Sequence, residues 1–99
     1  MIMVKAVING EVIAESNNTV IVDRKYYFPA GDVKEEVLEP SSHQTVCPWK
    51  GTASYYHVKA GGERNENAAW YYPNPSEKAK NIEGKIAFSY IHGIDTIED

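Results

Sequence analysis

A mainly β domain of short antiparallel strands is what this sequence predicts, and three observations carry the prediction. Most segments between turns are short and rich in β-branched and aromatic residues. Turn signals recur roughly every 8–15 residues along the chain. Strand–long helix–strand units are missing, as are GxGxxG and GxxxxGK[ST] loops, which excludes a Rossmann or phosphate-loop fold.

The first two strands are Val4–Ile8 and Glu11–Glu15, joined by Asn9-Gly10. A type I′ turn needs positive φ at both central residues, and Asn-Gly supplies it most readily. Asn17-Asn18 can turn the chain again, since Asn tolerates left-handed backbone. Thr19–Asp23 follows as a strand, with Arg24-Lys25 turning it into Tyr26–Phe28. Pro29 ends this meander. The stretch AGDVKEEVLEP is the most helix-like of the first half. Asp32 and Glu35 have the spacing of a capping box, and Pro40 limits the helix to about two turns. So short a helix must be held by packing through Val33, Val37 and Leu38.

After a Ser41-Ser42 loop, QTVCPWKG (Gln44–Gly51) reads as a strand entry kinked by Pro48 and Gly51, running into Thr52–Lys59. Alternation places Thr52, Ser54, Tyr56 and Val58 on one face, and Ala53, Tyr55, His57 and Lys59 on the other. Gly61-Gly62 turns the chain into Asn67–Tyr72, the expected antiparallel partner, which Pro73–Pro75 stops. Ser76 can cap a single turn, EKAKNI, and Gly84 opens the last strand, Lys85–Ile91. The expected total is about seven strands with one or two short helical turns.

Ninety-nine residues make one domain, 1–99. The hydrophobic fraction of 42% and charged fraction of 24% read as globular and soluble. A net charge of −4, with the basic residues scattered, argues against nucleic acid as a partner. No apolar run approaches the roughly 20 residues of a membrane span. The opening MIMVKAVI is too short for a signal sequence and carries Lys5. A single cysteine cannot form an internal disulfide, which fits a reducing compartment. The expected location is therefore cytoplasmic.

Four blocks follow one another in a recognisable order: YYFPAGDV, TVCPWKGTASYYHV, AAWYYPNP and IEGKIAFSY. The series resembles the bacterial and fungal family known as domain of unknown function 427, over Asn9 to Ile91. The chain departs from that pattern at Ser89, where the family places an aromatic after Ala-Phe. The resemblance implies a β-tent type of fold, shared with some zinc-bearing and ligand-binding domains. It also brings a nucleotidyltransferase-like label. Such enzymes need closely placed carboxylates to hold magnesium against a triphosphate, and Asp23, Asp32, Asp95 and Asp99 include no Asp-x-Asp. His43, His57 and His92 show no HxH or HExxH spacing, and there is no CxxC. Neither a metal nor another cofactor is expected.

The informative residues lie in two of these blocks. Trp49, Tyr55, Tyr56, Trp70, Tyr71 and Tyr72 are more aromatic bulk than a core of this size hides, and Trp and Tyr are the side chains that line small-ligand pockets. The sequence therefore points to a cleft between Cys47–Tyr56 and Trp70–Pro73 that takes a small molecule or a partner. Its candidate residues are Trp49, Lys50, Trp70, Tyr72, Cys47, Asp32 and His57. Each also has an ordinary role: Trp49, Trp70 and Tyr72 as core aromatics, Cys47 as a small buried hydrophobe, Lys50 as a surface lysine, Asp32 as a helix cap, His57 as a solvated strand residue. An alternative is a small enzyme whose Cys47 thiolate is activated by Lys50 or His57. Residues i and i+3 face opposite sides of a strand, so Cys47 and Lys50 meet only if the chain bends between them. A third possibility is a structural interaction module without a ligand. The chain would be a monomer or a homodimer formed through an exposed sheet edge.

Overall fold

The computed structural model describes residues 2–99; Met1, part of the 1–99 domain expectation, lies outside the described residues. Asn9 and Gly10 both take left-handed backbone, φ 48° and 81°, and so join β1 (Val4–Ile8) to β2 (Glu11–Ser16) as the turn chemistry requires. The free edge of β1 takes β9 (Asp95–Glu98), which completes a three-stranded sheet in the order β2-β1-β9. The remaining strands are β3 (Val20–Val22), β4 (Lys25–Pro29), β5 (Leu38–Cys47), β6 (Gly51–Ala60), β7 (Glu63–Tyr71) and β8 (Lys85–Phe88). They form a six-stranded sheet in the order β3-β4-β8-β7-β6-β5. Every ladder is antiparallel, so the mainly β reading holds. The radius of gyration, 12.6 Å, belongs to a compact globule. No helix among the described residues is long and apolar enough to cross a membrane.

Four local expectations are corrected. The capped helix does not form: Ala30–Asp32 and Glu35–Val37 are separate 3₁₀ turns without side-chain caps. Between them Val33 bridges to Ala14 and the Lys34 N–H donates to the Ile13 carbonyl, so sheet-type bonds outcompete a helix too short to sustain itself. The supposed Ser41-Ser42 loop lies within β5, an edge strand that tolerates Pro40, and Ser41–His43 bulge out between the Pro40–Tyr56 and Gln44–Ser54 pairs. Pro48–Lys50 is a hairpin turn, with Cys47 paired across to Gly51, not a kink within one strand. The β3–β4 turn is Asp23-Arg24 rather than Arg24-Lys25. Both residues are left-handed, φ 52° and 66°, and Val22 faces Lys25 across the ladder.

The last strand also ends early. The chain leaves β8 after Phe88, makes a 3₁₀ turn over Tyr90–His92, and returns as β9, a strand not expected from the sequence. Nine strands are thus present among the described residues, where about seven were expected.

Alternation gives the six-stranded sheet two different faces. Phe28, Val58, Ala69, Ile86 and Phe88 point to one side, where Val4, Ala6, Ile8 and Ile13 of the smaller sheet join them in one apolar cluster. Phe28 and Phe88 meet edge to face there at 5.6 Å. The opposite face carries Tyr27, Ala53, Tyr72 and Ala87, with Cys47, Tyr55 and Trp70 packed against them. Its cover comes from Ala79 and Ile82 of the 3₁₀ segment Glu77–Ile82.

Candidate functional site

The β5–β6 hairpin turn determines where Lys50 goes. Gly51 has φ 116°, and a Cβ at that position would stand 3.2 Å from the Asn74 carbonyl, so glycine is required for the close approach. Ser76 then fastens the turn. Its Oγ donates to the Trp49 carbonyl at 2.6 Å and its N–H to the Lys50 carbonyl at 2.9 Å. It makes no side-chain cap bond to the following 3₁₀ segment, the role expected for it. With the turn held, Lys50 points inward and is 7% exposed, while Trp49 points outward and is 41% exposed.

The Lys50 ammonium donates to Asp23 Oδ2 at 2.6 Å. Asp23 is delivered by the left-handed β3–β4 turn, a conformation that Asp adopts more readily than most residues. Burial alone would lower the Lys50 pKa, but the hydrogen bond to Asp23 and the neighbouring Tyr27 and Tyr72 outweigh it and hold the value above 10.5. The lysine is therefore a fixed cation at neutral pH. The Trp70 Nε1–H donates to Tyr27 Oη at 3.2 Å. Burial pushes the Tyr27 hydroxyl above its ordinary 10.0, against the opposing effects of Trp70 and Lys50. Burial raises Tyr72 in the same way, against Lys50. Both phenols keep their protons and can donate.

These groups form the buried wall of a cavity of about 480 Å³. Asp23, Lys25, Tyr90, Ile91 and His92 form its more open rim, and the Lys25 ammonium lies 4.3 Å from the centre of the Tyr90 ring. Tyr55 lines the cavity beside Trp70, their ring centres 6.3 Å apart.

Of the residues chosen from sequence, Lys50, Trp70 and Tyr72 come together here. Trp49 stays outside the lining, although its ring centre is 5.4 Å from the Lys50 ammonium. Cys47 packs against the aromatic cluster, and among the described residues it makes no hydrogen bond to Lys50 or His57. His57 does not line the cavity: its Nδ1 accepts the Asn67 N–H at 3.0 Å, where Asn67 is left-handed, φ 53°, in the irregular stretch between β6 and β7. The imidazole thus satisfies a backbone N–H that the break in register turns away from the ladder. Asp32 is exposed on its 3₁₀ turn and is not part of the lining.

Sequence reasoning missed Asp23, Tyr27 and the Tyr90–His92 rim. A signal for Asp23 was present, since Asp suits a left-handed turn, but reading it as the end of a strand hid it. The cavity lining includes one carboxylate, Asp23, already engaged by Lys50. Among the described residues no three His, Cys, Asp or Glu side chains gather as a metal site would. The paired carboxylates that magnesium-assisted nucleotidyl transfer calls on are not assembled at this cavity.

Comparison with curated proteins finds no match for the sequence. A family model does match, and it spans residues 2–99, taking in the hairpin that buries Lys50 and the Trp70–Tyr72 strand end opposite it; the chain belongs to the family described as domain of unknown function (DUF427).

Proposed function

We propose that the protein binds a small molecule in the cavity walled by Lys50, Tyr27, Trp70 and Tyr72. The observation that carries this reading is Lys50, a lysine 7% exposed whose ammonium is held at a cavity wall. Burying a cation costs several kcal/mol unless partners compensate it, and an apolar side chain of similar size fills such a place at least as stably. Asp23 supplies that compensation to one of the ammonium's three N–H donors, and the remaining donors suit an acceptor on a ligand. The volume, about 480 Å³, lies within the range of roughly 300–1,000 Å³ common to small-molecule sites. Aromatic faces beside a few convergent polar groups are the usual makeup of such sites.

The protonation states support holding a ligand over attacking one. A nucleophilic or basic lysine needs a lowered pKa, and Lys50 is raised. Trp49→Phe leaves Trp70 as the sole indole, because the chain has two tryptophans. A library of small ring compounds is expected to include members that shift the Trp70 Nε1–H resonance. If none shifts it while acrylamide still quenches Trp70, the reading fails.

A further inference from the structure

We infer that the ligand is a flat organic monoanion, a single ring system bearing one carboxylate, with the anion on Lys50 and the ring against Trp70. This rests on the cavity being the binding site. Lys50 and the Tyr27 and Tyr72 hydroxyls put hydrogen-bond donors on the wall, in a lining that also includes Asn67, Ser89 and His92. An ammonium has three N–H donors, and Asp23 takes one through its contact with Lys50. The Tyr27 oxygen already accepts the Trp70 N–H, which leaves its own O–H to donate.

Charge agrees with the donor pattern. The lining holds two ammonium groups, Lys25 and Lys50, and one carboxylate, Asp23, so it carries an excess positive charge in a chain whose net charge is −4. A cationic ligand would meet two ammonium groups there. One excess charge, with no arginine in the lining, suits a carboxylate better than a phosphate dianion, which favours several cations or a bidentate guanidinium. The apolar half of the ligand is accounted for by the rim. Tyr90 is 65% and Ile91 78% exposed, and a ring lying on Trp70 would give both an apolar surface to cover. A flat ring packs against an indole in the offset or edge-to-face arrangements that aromatic pairs prefer.

The test is a titration of the Trp49→Phe protein with naphthoate, naphthylmethanol and naphthylmethylamine at neutral pH, followed by the Trp70 Nε1–H resonance. Naphthoate is expected to bind at least about tenfold more tightly than the alcohol, with the amine weakest. Lys50→Met is expected to abolish that preference. Asp23→Asn removes the competing carboxylate and is expected to tighten naphthoate binding, and Asn is at ease in the left-handed turn that Asp23 occupies. If Lys50→Met does not fold, Asp23→Asn decides the question alone. An alcohol or amine that binds as well as naphthoate overturns the monoanion assignment and leaves the cavity reading intact. So does a naphthoate affinity that neither substitution changes. If none of the three compounds moves the Trp70 resonance, the flat-ring monoanion assignment is overturned, and the cavity reading falls with it only if the wider library is silent too while acrylamide still quenches Trp70.

Discussion

One face of the six-stranded sheet meets the smaller sheet through Phe28, Val58, Ile86 and Phe88, while the other carries Tyr27, Trp70, Tyr72 and Lys50. β4 and β7 supply Tyr27 and Trp70 in alternation with the sealed face, while the β5–β6 turn adds Lys50 and the chain just beyond β7 adds Tyr72. On the first face the residues are apolar to their tips, and a second sheet seals them, so their free energy goes wholly into burial at about 25 cal/mol per Å². On the second face each aromatic body ends in a polar group, and the cover is a short 3₁₀ segment that leaves a cavity beside it. The contrast separates the residues that make the fold stable from those that give it chemistry.

Substitutions sharpen the contrast in descending order of effect. Phe28→Ala empties the sealed face at a residue that is 0% exposed. It is expected to cost about 3–5 kcal/mol in chemical denaturation, the usual range for a buried Phe. Asp23→Ala strips Lys50 of its ion partner. Because the Asp23 side chain is 51% exposed, solvent screens part of the loss, and about 1–2 kcal/mol is expected from the same measurement. A cost equal to that of Phe28→Ala would mean that the second face also carries the fold.

Tyr27→Phe removes the acceptor for the Trp70 N–H and is expected to cost about 1 kcal/mol at neutral pH. Its clearer signature is in alkali. Tyr27 and Tyr72 are raised from 10.0 and Lys50 from 10.5, so the folded state holds all three protons more tightly than the unfolded chain. Their contribution is complete below pH 10.0 and is lost as pH climbs through the raised values. Denaturation midpoints followed from about pH 7 to about pH 11 should fall at the alkaline end, and Tyr27→Phe should flatten that fall. Asp32→Ala, at an exposed 3₁₀ turn without a side-chain cap, should stay within about 0.5 kcal/mol of the parent.

The sealed face was largely legible in the sequence, because the Asn9-Gly10 turn and the alternation of Tyr56 and Val58 follow from local chemistry. The antiparallel pairing of the Thr52–Lys59 and Asn67–Tyr72 segments was legible too, although their register, Tyr55 against Trp70, was not. The cavity was half legible: Lys50, Trp70 and Tyr72 stood out by type and clustering. Asp23 did not, since a left-handed Arg24 beside it has no sequence signal, and a turn displaced by one residue reverses which side chains face the sheet. Tyr90–His92 was hidden because YIH extends the pattern of β8, while the chain instead closes a 3₁₀ turn in which the His92 N–H donates to the Ser89 carbonyl. Asp32 and His57 lie outside the cavity lining, Asp32 on an uncapped 3₁₀ turn and His57 with its Nδ1 accepting the Asn67 N–H.

Backbone amide shifts mapped during a titration with naphthoate test the division between the faces most directly. Shifts are expected to concentrate at residues 23–27, 50, 70–72 and 89–92, with β1, β2 and β9 unmoved. Shifts centred instead on the Ile2, Thr19 and Ile21 surface, or spread evenly over both sheets, would contradict that division.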